Sequence, residues 1–200
     1  MSPLPTRHRR LLSSPPPLPG RLRGFTLIEL MVTIALAGVL MSVAAPSMTK
    51  MMGGNRVQTE ASSFVNDLQF ARSEAIREGL PVTVCPSNDG ASCLGANTWQ
   101  KGWIVFSDPN GNAVVDAAEA TAGPLRKRPA LKTGDTFAGA PTPPNNAVTF
   151  NREGFTSSLG TSVVTFKLHT PDNVAKSTRC VAVGIGGRIT TQLTGEGSCT

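Results

Sequence analysis

Tyrosine is absent from the 200 residues, and histidine occurs only at His8 and His169. These shortages exclude several chemistries. Only 8 Phe and 2 Trp remain to build an aromatic platform for nucleic-acid bases. Once His8 is set aside, no second histidine is left to pair with a nucleophile, and no G-x-S-x-G elbow occurs. His169 stands beside Thr170-Pro171 and reads as a surface strand end, so no enzyme is expected. The four cysteines include no C-x-x-C pair, which argues against a zinc site of four thiolates. Acids are missing from residues 1–24, which hold Arg7, Arg9, Arg10, Arg21 and Arg23.

What is present is most informative at RGFTLIELMV, Arg23 to Val32. It opens an apolar run from Phe25 to Ala45 of 21 residues, long enough for a helix to cross a bilayer core about 30 Å thick. Glu29 lies five residues into that run. A carboxylate there costs about 2.5–3.5 kcal/mol on insertion scales, so a partner or a function is expected. The simplest partner is the free amino terminus of a neighbouring subunit, which requires a cut just before Phe25. Gly24 offers a processing enzyme an unhindered backbone, and the arginine-rich, Pro15-Pro16-Pro17-containing leader pins orientation from the cytoplasmic side. An ordinary secretory signal would be cut near Val43-Ala44-Ala45, but Pro46 follows there. A plain uncleaved anchor leaves Glu29 unexplained.

The net charge of +6 and pI near 9.6 belong mostly to the leader, because its removal leaves 14 cations against 13 acids. Basicity of the whole chain is therefore poor support for nucleic-acid binding. Residues 121–200 nevertheless carry nine cations and four acids, a mildly basic C-terminal part. After cleavage 176 residues remain, enough for one membrane helix and one globular domain.

From Asn55 to Glu78 apolar residues recur at Val57, Ala61, Phe64, Val65, Leu68, Ala71, Ala75 and Ile76, the period of an amphipathic helix. Gln58, Glu60, Asn66, Asp67, Arg72 and Glu74 take the polar positions. Gly53-Gly54 reads as a weak point, and Gly79 with Pro81 ends the helix. Beyond it the pattern predicts strands at 82–85, 102–107, 125–128, 147–151, 162–168, 179–185 and 188–191, with an exposed loop over 133–146. The expectation is an α+β fold: a long N-terminal helix, membrane-spanning in its first half, packed on a mostly antiparallel sheet. The segments are 1–24 as leader, 25–46 as transmembrane or filament-core helix, 47–79 as its amphipathic continuation, and 80–200 as the β-rich domain.

Cys85, Cys93, Cys180 and Cys199 allow three pairings, which sequence cannot choose among outright. Cys85–Cys93 and Cys180–Cys199 are favoured because each closes a short loop. Asp108, Asn110, Asn112, Asp116 and Glu119 occupy positions 1, 3, 5, 9 and 12 of a twelve-residue window, the oxygen spacing of a Ca2+ loop. Ala113 stands where the sharp turn of such a loop wants Gly, and a hydrogen-bonded turn is the competing reading. Lys176, Arg179 and Arg188 form one basic group and Arg126-Lys127-Arg128 another. Both suit DNA phosphate contacts, or plain solubility at a sheet edge.

GFTLIEL, Gly24 to Leu30, resembles the signal of type IV prepilins and pseudopilins. The resemblance implies cleavage after Gly24 by a prepilin peptidase, N-methylation of Phe25, and pairing of Glu29 with a neighbour's amino terminus. Pro46 matches the helix-kinking proline of many pilins. ARSEAIREG (71–79), PVTVCPSNDG (81–90), Cys93 and WQKGWIVFSDPNGN (99–112) look like the GspH/FimT family of minor pilins and pseudopilins. That likeness implies an inner-membrane subunit with a periplasmic domain, placed at or near the tip of a type IV pilus or type II secretion pseudopilus. There it would prime assembly with other pilins or pseudopilins and the inner-membrane assembly platform. The alternative is a FimT-like minor pilin that binds DNA in natural transformation. DNA-binding relatives carry GRxR, and Gly187-Arg188-Ile189-Thr190 keeps only the first arginine.

Overall fold

The computed structural model describes residues 24–143, 146–160 and 163–199, without the side chains of 43 and 45–47. Residues 1–23 of the expected leader (1–24), the Pro46 side chain, Ser162 at the start of one expected strand, and 144–145 of the expected loop lie outside the described residues. The chain divides into two compact units, Met1–Val43 and Ala44–Thr200, and one helix, α1 (Leu27–Glu78), contributes to both.

In the second unit α1 buries Val57, Ala61, Phe64, Leu68, Ala71 and Ala75 completely. Their intervals of four and three residues keep one stripe of the helix facing inward. Ile76, counted in the expected stripe, is 53% exposed and departs from it. Gly79 ends the helix with φ +69° and donates its N–H to Ala75 O at 3.0 Å.

Among the described residues eight strands follow: β1 (Val82–Pro86), β2 (Trp103–Ser107), β3 (Arg126–Arg128), β4 (Thr136–Ala140), β5 (Val148–Phe150), β6 (Val164–His169), β7 (Arg179–Val183) and β8 (Ile189–Leu193). They make two four-stranded sheets, ordered β3-β2-β1-β5 and β4-β6-β7-β8, with every pairing antiparallel. This is the expected α+β class.

In the first sheet β1, β2 and β5 are buried on both faces, whereas the edge strand β3 is largely exposed. Alternation sends Val82, Val84, Trp103 and Val105 to the core shared with α1, and Cys85, Ile104 and Phe106 to a second cluster with Ala113 and Ala147. The second sheet adds Val164, Phe166, Leu168, Val181 and Val183 to the α1 core. Phe64 lies at the centre, edge-on to Trp99, Trp103, Phe137 and Phe166 at centroid distances of 5.2, 5.3, 4.9 and 5.0 Å.

Three expectations are corrected. The loop expected over 133–146 contains β4, an edge strand paired along its whole length with β6. Its only large apolar residue, Phe137, is fully buried, and Gly139 admits Phe166, whose ring would lie 3.0 Å from an added Cβ. Gly53-Gly54 is no break: α1 runs through it, and a Cβ at Gly53 would lie 3.2 Å from Thr170 Cγ2. These glycines let the helix approach the Thr170–Ser177 connection. Asp67, expected on the polar face, is wholly buried.

Candidate functional site

In the first unit, Thr26 starts the helix. Its hydroxyl accepts the Glu29 N–H at 3.2 Å, and its carbonyl accepts the Leu30 N–H at 3.2 Å. Glu29 therefore lies in the first turn of α1, where a carboxylate complements the positive end of the helix dipole. The spacing Thr26-x-x-Glu29 is that of a capping box, a sequence signal that the charge argument alone does not use. The apolar side chains that follow are uncovered: Phe25 is 82% exposed, Leu27 77% and Leu40 71%. Thr33 and Ser42 turn their hydroxyls back to Leu30 O and Val39 O, at 2.8 and 2.7 Å, so they ask nothing of the surroundings. Among the described residues no helix is long and apolar enough to cross a membrane; the apolar run of the sequence continues into 43 and 45, whose side chains lie outside them.

In the second unit Cys85 is bonded to Cys93 and Cys180 to Cys199. Within the first of these loops Asp89 accepts hydrogen bonds from Ser87 Oγ (2.9 Å), Ala91 N (2.8 Å), Ser92 N (2.9 Å) and Ser92 Oγ (2.6 Å). Those donors, Ser92 first, hold its carboxyl well below the usual aspartate range.

The five oxygen-bearing residues of the expected Ca2+ loop are placed otherwise than the spacing suggests. Asp108 is buried, and its carboxylate accepts from Thr83 Oγ1 (2.6 Å), Asn112 N (3.1 Å) and Ala113 N (2.9 Å). Asn110 and Asn112 donate to Asp116 at 2.7 and 3.2 Å. Glu119 closes a capping box on the short helix α2 (Ala117–Ala122), accepting from Asp116 N at 2.8 Å. Burial, more than any neighbour, pushes the Glu119 carboxyl up. The carboxylates thus hold the turn's own N–H groups. No group of three or more His, Cys, Asp or Glu among the described residues could hold a metal. Ala113 takes the left-handed turn at φ 60°, the conformation for which Gly was wanted.

The cations are also redistributed. Arg126 and Arg128 reach Asp67 at 3.1 and 2.8 Å, and Trp103 Nε1 donates to the same carboxylate at 3.0 Å. Arg126 stacks over Phe70 at 3.7 Å, and the Asp67 bond raises the Arg128 pKa. Two members of that basic run therefore fasten α1 to the first sheet. Arg179 opens β7 opposite Leu193, whereas Arg188 precedes Ile189, which pairs with Val183. The two arginines stand at opposite ends of this ladder, separated by about 14 Å or more at about 3.4 Å per residue. Arg179 is held by the Gln58 side chain and by the carbonyls of Lys176 (3.0 Å) and Thr178 (2.8 Å). Lys176 lies nearby in the 3-10 turn Ala175–Ser177. The expected group of three is thus a pair and a separate Arg188.

Two family profiles match the chain. One, a prokaryotic N-terminal methylation motif, covers residues 21–45, and the other, type II transport protein GspH, covers residues 60–187. The chain belongs to the GspH family. Within this GspH-family chain the methylation motif spans Gly24, Phe25 and Glu29 and stops short of Pro46. The GspH match takes in Asp67, Cys85, Cys93, the Asp108 turn and Cys180, and ends one residue before Arg188. Pilin-like protein PilA1 of Thermus thermophilus is 31% identical over 99 residues, 48% of this chain and 55% of that protein. The match thus spans about half the length of that relative. The type IV minor pilin FimU of Pseudomonas aeruginosa (strain PAO1) superposes with a TM-score of 0.53 at 22% identity, over 73% of this chain and 96% of FimU. A second crystal form of FimU gives 0.51 at 22% identity, over 72% and 99%. The shared fold is a long N-terminal helix on antiparallel sheets. The GspH match shows the family, and the likeness to FimU shows the fold.

Proposed function

We propose that this GspH-family chain is a membrane-anchored minor subunit. It enters a type IV pilus or type II secretion pseudopilus at or near the tip and primes assembly there. One observation carries the reading: a single acid, Glu29, in the first turn of a helix segment whose apolar side chains are left uncovered among the described residues. Lipid covers them before assembly and neighbouring helices afterwards. The arginine-rich leader stays cytoplasmic, and the disulfide-bearing unit lies in the oxidising periplasm. Prepilin peptidase cuts after Gly24 and methylates the new amino group of Phe25. In the filament, Glu29 of one subunit neutralises the amino terminus of another, removing two charges from an apolar interior in one contact. The assembly platform and the other pilins or pseudopilins are the partners. Glu29→Gln tests this: the variant is trimmed and inserted but recovered in sheared filaments at about one-tenth of the parent level or less, the scale of one lost buried charge contact. Recovery at the parent level contradicts it.

A second reading, DNA capture in natural transformation, draws on Arg188, whose guanidinium has no hydrogen bond or ion pair among the described residues; its carbonyl accepts from Gly184 N. A gel shift with Arg188→Ala tests it, because a phosphate contact weakens binding uniformly and lowers the salt dependence.

A further inference from the structure

The face of the second unit where α1 meets the β7–β8 turn holds a notch of about 550 Å³, lined by Gln69, Arg72, Ser73, Gly187, Arg188 and Ile189. It contains two guanidinium-bearing residues and no acid. Arg72 Nε is buried and has no hydrogen-bond partner, and no ion pair of Arg72 or Arg188 occurs among the described residues. Every other arginine of the second unit has a carboxylate or carbonyl partner: Arg56 on Asp135, Arg77 on Glu74, Arg126 and Arg128 on Asp67, Arg152 on Glu153, Arg179 on backbone carbonyls. A buried guanidinium N–H left open is the exception that calls for a ligand.

The notch is built to bring the pair together. Gly187 has φ +70°, and a Cβ there would lie 2.0 Å from Gly154 O and 2.9 Å from Arg72 Nε. A Cβ at Gly154, φ +80°, would meet Arg72 Nε at 3.1 Å and Ile76 Cδ1 at 2.9 Å. Two glycines thus clear the space that Arg72 occupies beside the turn presenting Arg188. Exposed apolar residues adjoin both: Ile76 lies one turn along α1 from Arg72, Phe155 follows Gly154, and Ile185 precedes the Gly186-Gly187 turn, at 53%, 53% and 48% exposure.

We infer that this notch receives one carboxylate from the protein surface of an adjoining subunit, gripped by Arg72 and Arg188. A guanidinium fork matches a carboxylate in a bidentate pair, and flanking apolar side chains exclude water from it. A nucleic-acid backbone suits the site less well. Successive phosphates need cations in a line, whereas Lys176 and Arg179 lie at the far end of the β7–β8 ladder and Arg126 and Arg128 are held by Asp67. The inference rests on the filament-subunit reading for the source of the carboxylate.

The test uses the full processed chain, isotopically labelled at arginine, in detergent micelles. It is titrated separately with the peptide acetyl-Ala-Glu-Ala-amide, its Gln counterpart, and oligothymidylate. The Nε–H resonances of Arg72 and Arg188 are expected to shift saturably with the Glu peptide only, with at least about tenfold weaker binding in Arg72→Gln, as for a lost charge-assisted pair. An equal response to the Gln peptide, or oligothymidylate shifting the same resonances at about a hundredfold lower concentration, overturns the inference. In cells, Arg188→Glu is expected to be trimmed, inserted and disulfide-bonded but depleted at least about tenfold from sheared filaments, because like charges then face each other. Recovery of Arg188→Glu at the parent level also overturns it. Absence of the parent itself from filaments contradicts the filament reading, while the titration still decides the notch.

Discussion

Asp67 shows how a single buried carboxylate can organise a helix–sheet junction. It is fully buried and accepts from Trp103 Nε1, Arg126 and Arg128. The two arginine side chains are 41% and 40% exposed, so water screens part of the ion pairing. The larger cost of losing Asp67 is the indole N–H left buried without an acceptor. Asp67→Ala is therefore expected to cost about 3 kcal/mol, read as a lower urea midpoint at unchanged slope. A change below about 0.5 kcal/mol, the size of an ordinary surface substitution, contradicts this. Asp89 supplies a prediction in pH. Its folded-state pKa is depressed by Ser92, Ala91 and Ser87, so its contribution is present above the unfolded value of about 3.9 and is lost as pH falls further. Its carboxyl resonance is expected to stay ionised at about pH 3.5, where an ordinary aspartate is largely protonated; a midpoint near about 3.9 contradicts the hydrogen-bond account.

At the scale of elements, the α1 stripe could be read from sequence because its period is helical and its residues are apolar. Six strands could be read because Val, Ile, Phe and Thr cluster between turn residues; β3, Arg126-Lys127-Arg128, has none of these and lies where a strand is expected from Leu125. β4 could not: Thr136-Phe-Ala-Gly-Ala carries one large apolar side chain, and its place is set by pairing with β6, which local pattern does not encode. The basic residues were misgrouped for a related reason. Arg179 and Arg188 are nine positions apart in sequence, but a hairpin sends one to each end of its ladder. Asp67 and Arg128 are far apart in sequence, yet they meet. The Asp108–Glu119 spacing does mark a string of oxygens, but spacing alone cannot say whether oxygens face a cation or their own backbone. Phe64 is where the element-level packing can be probed. Four aromatic rings converge on it from the Trp99–Lys101 turn, β2, β4 and β6. Phe64→Ala is expected to cost about 3–5 kcal/mol by thermal unfolding; a loss under about 1 kcal/mol indicates that the helix does not dock as described.

For the whole molecule, the two units have opposite surfaces. Ala44–Thr200 buries its apolar residues around Phe64 and ties two of its loops with disulfides. The described part of Met1–Val43 leaves its apolar residues open to whatever surrounds it. The second unit has the core of a self-sufficient domain; under the proposed function, lipid or other helices cover the first. That division explains why the methylation motif and the GspH match cover separate stretches, 21–45 and 60–187. On the proposed reading, most of the net charge of +6 sits in the leader that processing removes. The central claim is that this loss creates the amino terminus that Glu29 neutralises. Intact-mass analysis of the chain from sheared filaments and from inner membranes tests it most directly. The predicted product begins at Phe25 and carries one added methyl group in both fractions. A chain still beginning at Met1, recovered from working filaments, contradicts the account.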